Sequence, residues 1–568
     1  MLILATLGIC YFTQLGVIGF VGPDEPRYAW IARAMAETGD WVTPRLYGQP
    51  WFEKPVLYYW EAALSFKIFG VSEAAARLPS ALSALAGTLA LAWLAWRIYG
   101  RDTARWLLIL LPSSVGMIGF SHAAATDMPF AAMITVAMVC AAVCLRLIQS
   151  EKTPILPRTP WLGLICFGFF LGLAVLAKGP AAIILCGGAI FFWAIITKRW
   201  RDAFSLLHPA AILVFCLTAL PWYVICARRN PDFFRIFIIE HNFKRYLTPE
   251  FQHTQPFWYY VPVLLVAFLP WAATLVWAAI AGSRAYFRAR RLSAMTGLLL
   301  CWAGFCLVFF SISRSKLPGY ILPAFPAVGL LIARSVVLMT HRTSAVPASS
   351  RGSYASYFFG AMQAGALIVF SVLYLLALFR EGPQTFVAPL LALRLVLLLF
   401  AMANMLLAYL AIAQGRPRNV ATSEHNELEA VTAPVASRER IAMFACAPIL
   451  LAVLSAGWLV HDFFPRDPSG RTAATALEAK RIPGNQLFVA GMNRSMRYSL
   501  SFYLHNGVRE WDTSADNGGY LLTAKRNCAQ VAGPGLYCEE QPFDPAHETG
   551  RFLYLVIPIA DESRNRQH

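Results

Sequence analysis

Residues 161–197 read WLGLICFGFFLGLAVLAKGPAAIILCGGAIFFWAIIT, two apolar runs joined by a very short turn at Lys178-Gly179-Pro180. Each run approaches the roughly 20 residues that carry a helix across a hydrocarbon layer. Similar runs lie near 2–20, 78–97, 105–120, 128–147, 209–226, 257–280, 294–312, 320–339, 357–379, 385–413 and 441–460. On hydropathy this makes about thirteen transmembrane helices. The chain of 568 residues is 58% hydrophobic and only 14% charged, against about 25% charged in an average soluble protein. The expected fold is a polytopic α-helical membrane protein.

The run 2–20 lacks a positively charged start and a small-x-small cleavage site, so it is read as a membrane helix and not a signal peptide. The net charge of +17 is explained by Lys and Arg gathering in loops on one side of a membrane, and no nucleic-acid partner is expected. Most cysteines fall inside apolar runs, where they act as small hydrophobes. Cys528 and Cys538 lie in a polar tail, close enough in sequence to pair, which fits an oxidising compartment. No cysteine spacing resembles a zinc site.

The connections at 97–105, 146–158, 197–202 and 284–291, and the links 340–356 and 414–440, are rich in Arg and Lys. They alternate along the chain and so share one side, which the positive-inside rule makes cytoplasmic. The N-terminus is then inside and the C-terminus outside. The outside loop 227–256 breaks the rule with Arg228, Arg229, Arg235, Lys244 and Arg245. Cations kept there would attract an anion. The long outside loop 21–77 contains two amphipathic stretches, 26–38 and 55–69, of the kind that lie in a membrane interface. After residue 460 the composition turns polar, with short strand-like runs at 486–490, 519–523 and 552–559. The expected organisation is a membrane domain over 1–460 and a small soluble α/β domain over 461–568, outside the membrane.

A recurring pattern marks the outside loops. Asp24-Glu25-Pro26, Glu53-Lys54-Pro55, Asp127-Met128-Pro129, Lys178-Gly179-Pro180 and Lys316-Leu317-Pro318 each put charge just before a proline and a helix-like segment. Proline suits the first helical turn, so these charges are expected at helix N-termini. Taken singly, each is ordinary capping or a lysine snorkelling at a boundary. Together, on one face, they suggest transfer from a phosphate-linked donor. Lys54, Lys178, Arg245 and Lys316 are the candidate phosphate-binding residues, because helix starts with added cations hold phosphate. Asp24, Glu25 and Asp127 are the candidate catalytic carboxylates. Glu53 is a fourth carboxylate, and any of the four could instead serve as a ligand of the acceptor or of a divalent ion, zinc or magnesium, with His241 as another candidate metal ligand. Arg27, Tyr28 and Tyr320 are candidates to bind substrate.

The same residues carry a family resemblance. The stretch DEPRYAWIARAMAETGDWVTPRLYGQPWFEKPVLYYW (24–59 and Trp60) resembles the first outside loop of GT-C glycosyltransferases, above all the bacterial aminoarabinose transferases that modify lipid A. TDMP at 126–129, LAKGP at 176–180, EHNFKRY at 240–246 and KLPGYILP at 316–323 continue the likeness in order. The resemblance covers 24 to about 323, and its motifs are specific as a set. It implies a GT-C type fold, interfacial helices in the first outside loop, and an undecaprenyl phosphate-linked sugar donor reached from the outer leaflet. It implies Asp24 at the reaction centre, Glu53 as a metal ligand, Lys54 and Arg245 on phosphate, and Asp127 as a second acidic position. Lys178 and Tyr320 would line the same cavity.

For these transferases the acceptor is a lipid A phosphate. A phosphate oxygen is already ionised at neutral pH, so Asp24 is expected to orient groups and bind the sugar amine more than to remove a proton. The competing expectations are a mannosyl- or other glycosyltransferase acting on protein or glycan, and a polyprenyl-phosphate flippase. Transporters place charge near the midplane in broken helices, whereas here it gathers at helix ends. A monomer in the bacterial inner membrane is expected.

Overall fold

The computed structural model describes residues 1–148, 161–237, 240, 255–289, 292–342, 450, 453–454, 469–513, 518–525, 527–533, 536–543 and 551–558. The expected spans 357–379 and 385–413 lie outside these residues, as does most of 441–460.

Among the described residues six helices are long and apolar enough to cross a membrane, or seven if one bent pair is a single span. They include α4 (Glu73–Tyr99), α7 (Asp127–Cys144) and α8 (Trp161–Lys178), together with Pro209–Arg229, Ala294–Ile312 and Pro318–Leu338. Helix α9 (Ala181–Thr197) has 17 residues. Large apolar side chains such as Phe191, Ile196 and Leu217 are exposed on these helices, as lipid contact requires.

Three of the expected spans are interrupted, each for a visible reason. The run 2–20 is helical only over α1 (Leu2–Phe12). Beyond it the carbonyls of Leu15, Ile18 and Gly19 accept from the Arg77 guanidinium instead of from helical N–H groups. The run 105–120 divides into α5 (Arg101–Leu110) and α6 (Val115–Ser121), bent by 64°. Pro112 sits in the break and lacks the N–H that a helix interior needs. The run 257–280 divides near Pro270, into Tyr260–Ala267 and Ala272–Ala289. The two breaks meet: the Val115 N–H donates to Leu269 O at 3.0 Å, and Trp271 Nε1 donates to Ser113 Oγ at 2.9 Å. Each break thus satisfies backbone and side-chain groups that the other leaves open.

The segment between α1 and α4 holds α2 (Asp24–Thr38), a small hairpin of β1 (Arg45–Leu46) and β2 (Gln49–Pro50), and α3 (Leu57–Phe69). Both amphipathic stretches are therefore helices. Gly39 ends α2 in the left-handed conformation at φ 74° and donates to Met35 O, a glycine C-cap.

The C-terminal part is a mixed sheet with helices. Its strands are β3 (Leu487–Ala490), β4 (Arg509–Glu510), β5 (Gly519–Thr523), β6 (Leu536–Gln541) and β7 (Phe552–Pro558). The order is β4-β3-β5-β7-β6, parallel at β4-β3 and β3-β5 and antiparallel at β5-β7 and β7-β6. Alternation along β3 divides the packing: Leu487 and Val489 face one apolar cluster, Phe488 and Ala490 another, as a period of two demands. Sequence reading anticipated β3, β5 and β7 and missed β6, whose alternate residues stay wet. Cys528 and Cys538 are bonded to each other.

The helix Arg494–Tyr503 docks this part onto the segment around α2 and the start of α4. Phe20 packs edge-on to Phe502 at 4.8 Å, its N–H donates to Tyr503 Oη at 3.0 Å, and Tyr503 Oη donates to Glu73 Oε1 at 2.8 Å. Arg471 adds an ion pair to Glu73 at 3.2 Å.

Candidate active site

Three groups of charged side chains lie near helix ends and in the connections between helices. The first is built on Arg27. Asp24 and Arg27 are three apart on α2 and form an ion pair, one turn along the helix. Arg27 Nη1 also donates to Glu53 Oε2 at 2.8 Å, and its Nε donates to Pro23 O at 2.8 Å. Lys54 Nζ lies 3.6 Å from Glu53 Oε1. The guanidinium is flanked by the rings of Tyr28 at 5.8 Å, Trp51 at 5.6 Å and Tyr498 at 5.4 Å. Burial disfavours its charge, but Glu53, Tyr28 and Asp24 outweigh that and keep it protonated. Burial, with the Asp24 and Glu53 charges, also keeps the Tyr28 hydroxyl protonated. The Asp24 side chain is 49% exposed, against 9% for Glu53, so Asp24 is the carboxylate open to a substrate.

The second group has another character. Glu25 is buried and accepts Arg77 Nε and Nη2, both at 2.9 Å, the Val21 N–H at 2.9 Å and the Ala124 N–H at 2.8 Å. Every acceptor direction of its carboxylate is engaged. This geometry gives Glu25 a holding role between α2, α4 and the loop before α7, and no open oxygen for the catalytic role expected of it.

The third group joins α7, α8 and the 318–324 turn. Lys178 Nζ donates to Asp127 Oδ1 at 2.5 Å and lies over the Tyr320 ring at 5.0 Å and the Phe130 ring at 5.6 Å. Gly319 makes this closeness possible, because a Cβ there would lie 2.7 Å from Asp127 Oδ1. The groups are linked in sequence and space: Glu25 follows Asp24, and its partner Ala124 precedes Asp127 by one short turn.

The expectation that the charges sit at helix N-termini holds for Asp24 and Asp127, the first residues of α2 and α7. It fails for Lys178, the last residue of α8, where a cation complements the helix dipole. Lys54 lies three positions before Leu57, the first residue of α3. Lys316 donates to Ser313 O at 2.6 Å and Gln255 O at 3.0 Å, and burial lowers its pKa. It ties together the residues after the Ala294–Ile312 helix, and two of its three donors are spent on backbone. His241, Lys244 and Arg245 lie outside the described residues. Of the other cations in that basic loop, Arg229 pairs with Asp40 at 3.4 Å and Arg235 with Asp232 at 3.1 Å.

The Glu53 oxygens are met by Arg27 and Lys54, and among the described residues no three His, Cys, Asp or Glu side chains converge. His241, the second expected metal ligand, lies outside the described residues.

Sequence reasoning missed Arg77 and Tyr498. An arginine just inside an apolar helix was a readable signal. Nothing in the sequence pointed to Tyr498.

Residues 1–237 match the family model described as dolichyl-phosphate-mannose-protein mannosyltransferase. Over the whole length the chain superposes on the crystal structure of ArnT from Cupriavidus metallidurans in the apo state, with a TM-score of 0.71 at 23% identity, covering 98% of this chain and 97% of that one. The chain has the ArnT fold. The same protein bound to undecaprenyl phosphate superposes with a TM-score of 0.67. Curated relatives include the undecaprenyl phosphate-alpha-4-amino-4-deoxy-L-arabinose arabinosyl transferase of Edwardsiella ictaluri, 34% identical over 320 residues that make up 56% of each chain. The enzyme of that name from Serratia proteamaculans is 36% identical over 314 residues, 55% of this chain and 54% of that one. The matched stretch thus spans little more than half the length of these relatives.

Proposed function

We propose that this chain transfers 4-amino-4-deoxy-L-arabinose from undecaprenyl phosphate to a lipid A phosphate at the periplasmic face of the inner membrane. The observation that carries this reading is the Asp24–Arg27–Glu53–Lys54 group joining α2 to the residues before α3 in an ArnT fold, in a chain whose relatives are named arabinosyl transferases. An ionised oxygen of the acceptor phosphate attacks the anomeric carbon of the sugar. The bond from that carbon to the undecaprenyl phosphate oxygen breaks, and the electron pair leaves with the phosphate. Lys54 and Lys178 stabilise the charge on the leaving phosphate as it develops, with Arg245 as a further contact. Asp24 holds the sugar amine, and Arg27 fixes Asp24 and Glu53 relative to each other.

The topology belongs to the same proposal: about thirteen spans, the N-terminus in the cytoplasm, the active site and the 461–568 domain in the periplasm, and a monomer. Adding a cationic sugar lowers the negative charge of lipid A, which would protect a cell against polymyxin and other cationic peptides.

Mass analysis of lipid A from cells with and without the gene tests the proposal. The expected result is an aminopentose mass addition that depends on the gene. Its absence, with sugar found on protein instead, would favour the mannosyltransferase reading that the match over 1–237 supports. Transfer by the purified chain in detergent excludes a flippase without chemistry.

A further inference from the structure

The helix Arg494–Tyr503 carries Arg494, Arg497 and Tyr498 at positions that share one helical face. Tyr498 is buried, and three guanidiniums surround its ring: Arg494 at 5.3 Å, Arg497 at 5.5 Å and Arg27 at 5.4 Å from the centroid. Three like charges around one phenol repel one another unless anions balance them. Arg27 is balanced by Asp24 and Glu53. Arg497 has a single bond to Glu510 at 3.2 Å, whose side chain is 66% exposed, and such a pair contributes little. Arg494 gives its Nε to Tyr498 Oη at 2.8 Å and has no carboxylate partner among the described residues. That bond fixes the guanidinium, and its outer donors meet no partner among the described residues. On a free surface long side chains of like charge would spread apart. Here the docking of the helix on α2 holds them together beside the transfer site.

We infer that Arg494 and Arg497 form an anion subsite that takes a phosphate monoester of the acceptor, distinct from the phosphate that receives the sugar. This rests on the proposed transfer to a phosphorylated lipid. Two adjacent guanidiniums present the planar donor forks that match phosphate oxygens. The donor phosphate does not need them, because Lys54 and Lys178 sit at the helix ends where a membrane-borne chain would arrive. The Arg494–Tyr503 helix belongs to the sheet-bearing C-terminal part, the side from which a large headgroup would be gripped. Tyr498 connects the two sites physically, with Arg27 on one side of its ring and the subsite pair around it.

The test uses the full-length protein in nanodiscs and two acceptors, lipid A with two phosphates and lipid A with one. In the R494Q/R497Q variant, KM for the diphosphorylated acceptor should rise about tenfold with kcat within about twofold. KM for the monophosphorylated acceptor should be the same in variant and wild type. R494K/R497K should fall between, since lysine keeps the charge and loses the fork. A fall in kcat at unchanged KM, or an equal rise in KM for both acceptors, would overturn the subsite. Binding of a water-soluble diphosphorylated glucosamine disaccharide, followed by calorimetry, reads the site without turnover. Binding about tenfold weaker in R494Q/R497Q is expected, and equal binding would overturn the inference. A wild type that binds the disaccharide but transfers no sugar would leave the subsite standing and remove the transfer reading.

Discussion

Glu25 and Arg77 are joined by two parallel hydrogen bonds of 2.9 Å, deep between α2 and α4. Glu25 is the immediate neighbour of Asp24, yet the two carboxylates have opposite situations. Removing one partner of a buried pair leaves an uncompensated charge and costs roughly 3–5 kcal/mol. Glu25→Ala should therefore lower Tm sharply and cut the yield of folded protein. Asp24→Asn, at a half-exposed position, should leave Tm within a few degrees of wild type. Thermal unfolding in detergent compares them, and equal losses at both positions would contradict the division.

Asp24 itself is expected to orient the sugar amine and not to take up a proton. Asp24→Asn should then keep measurable transfer, while Asp24→Ala should lose roughly a further tenfold or more. Initial rates with purified donor and acceptor decide this. Equal, complete loss in both variants would assign a proton-transfer role to Asp24.

Lys178 and Asp127 share a 2.5 Å bond closed in by Gly319. If Lys178 stabilises the leaving phosphate, Lys178→Met should reduce kcat by roughly 10²-fold. Gly319→Ala places a methyl group against Asp127 and Phe120, so it should lower kcat with every charged residue intact. Normal kinetics in Gly319→Ala would show that the tight approach is dispensable.

Glu61, on α3, has an enclosed Oε2 that meets no hydrogen-bond partner among the described residues. Burial pushes its carboxyl from 4.5 up to about 8. The folded chain then keeps this proton from about pH 4.5 to about pH 8, where the unfolded chain has released it. The contribution to stability is fully present below that window, falls as pH rises through it, and is level above. Tm measured across the window should decline in the wild type, and Glu61→Gln should flatten the decline. An unchanged slope in the variant would refute the assignment.

Legibility in the sequence followed the reach of each interaction. Apolar length and loop charge announced the membrane helices, because crossing hydrocarbon is a local requirement on consecutive residues. The amphipathic α2 and α3 were equally readable, and so were Asp24 and Asp127 at helix starts, since proline marks the first turn. The broken spans were harder. Only the bonds from Val115 to Leu269 and from Trp271 to Ser113, which join the two breaks, explain why both are tolerated. Lys178 was assigned to the wrong helix end because the Lys-Gly-Pro turn serves both helices and only geometry says which one owns the lysine. Glu25 resembled its neighbour until Arg77, 52 positions away, was seen to occupy it. Tyr498 was hidden for the same reason, as its role exists only across the docked surface.

The contact of Arg27 with Tyr498 also orders events in the life of the chain. Helix α2 is made early, but the ring that completes its guanidinium box comes from Tyr498, far later in the chain. A growing chain can insert its helices and form the Asp24–Arg27 pair while the box is still open on one side. The box closes only when residues 494–503 have been synthesised, delivered to the same side of the membrane and folded against α2. A chain cut short before that point would carry every residue of α2 and α3 and still lack the ring that closes the box around Arg27.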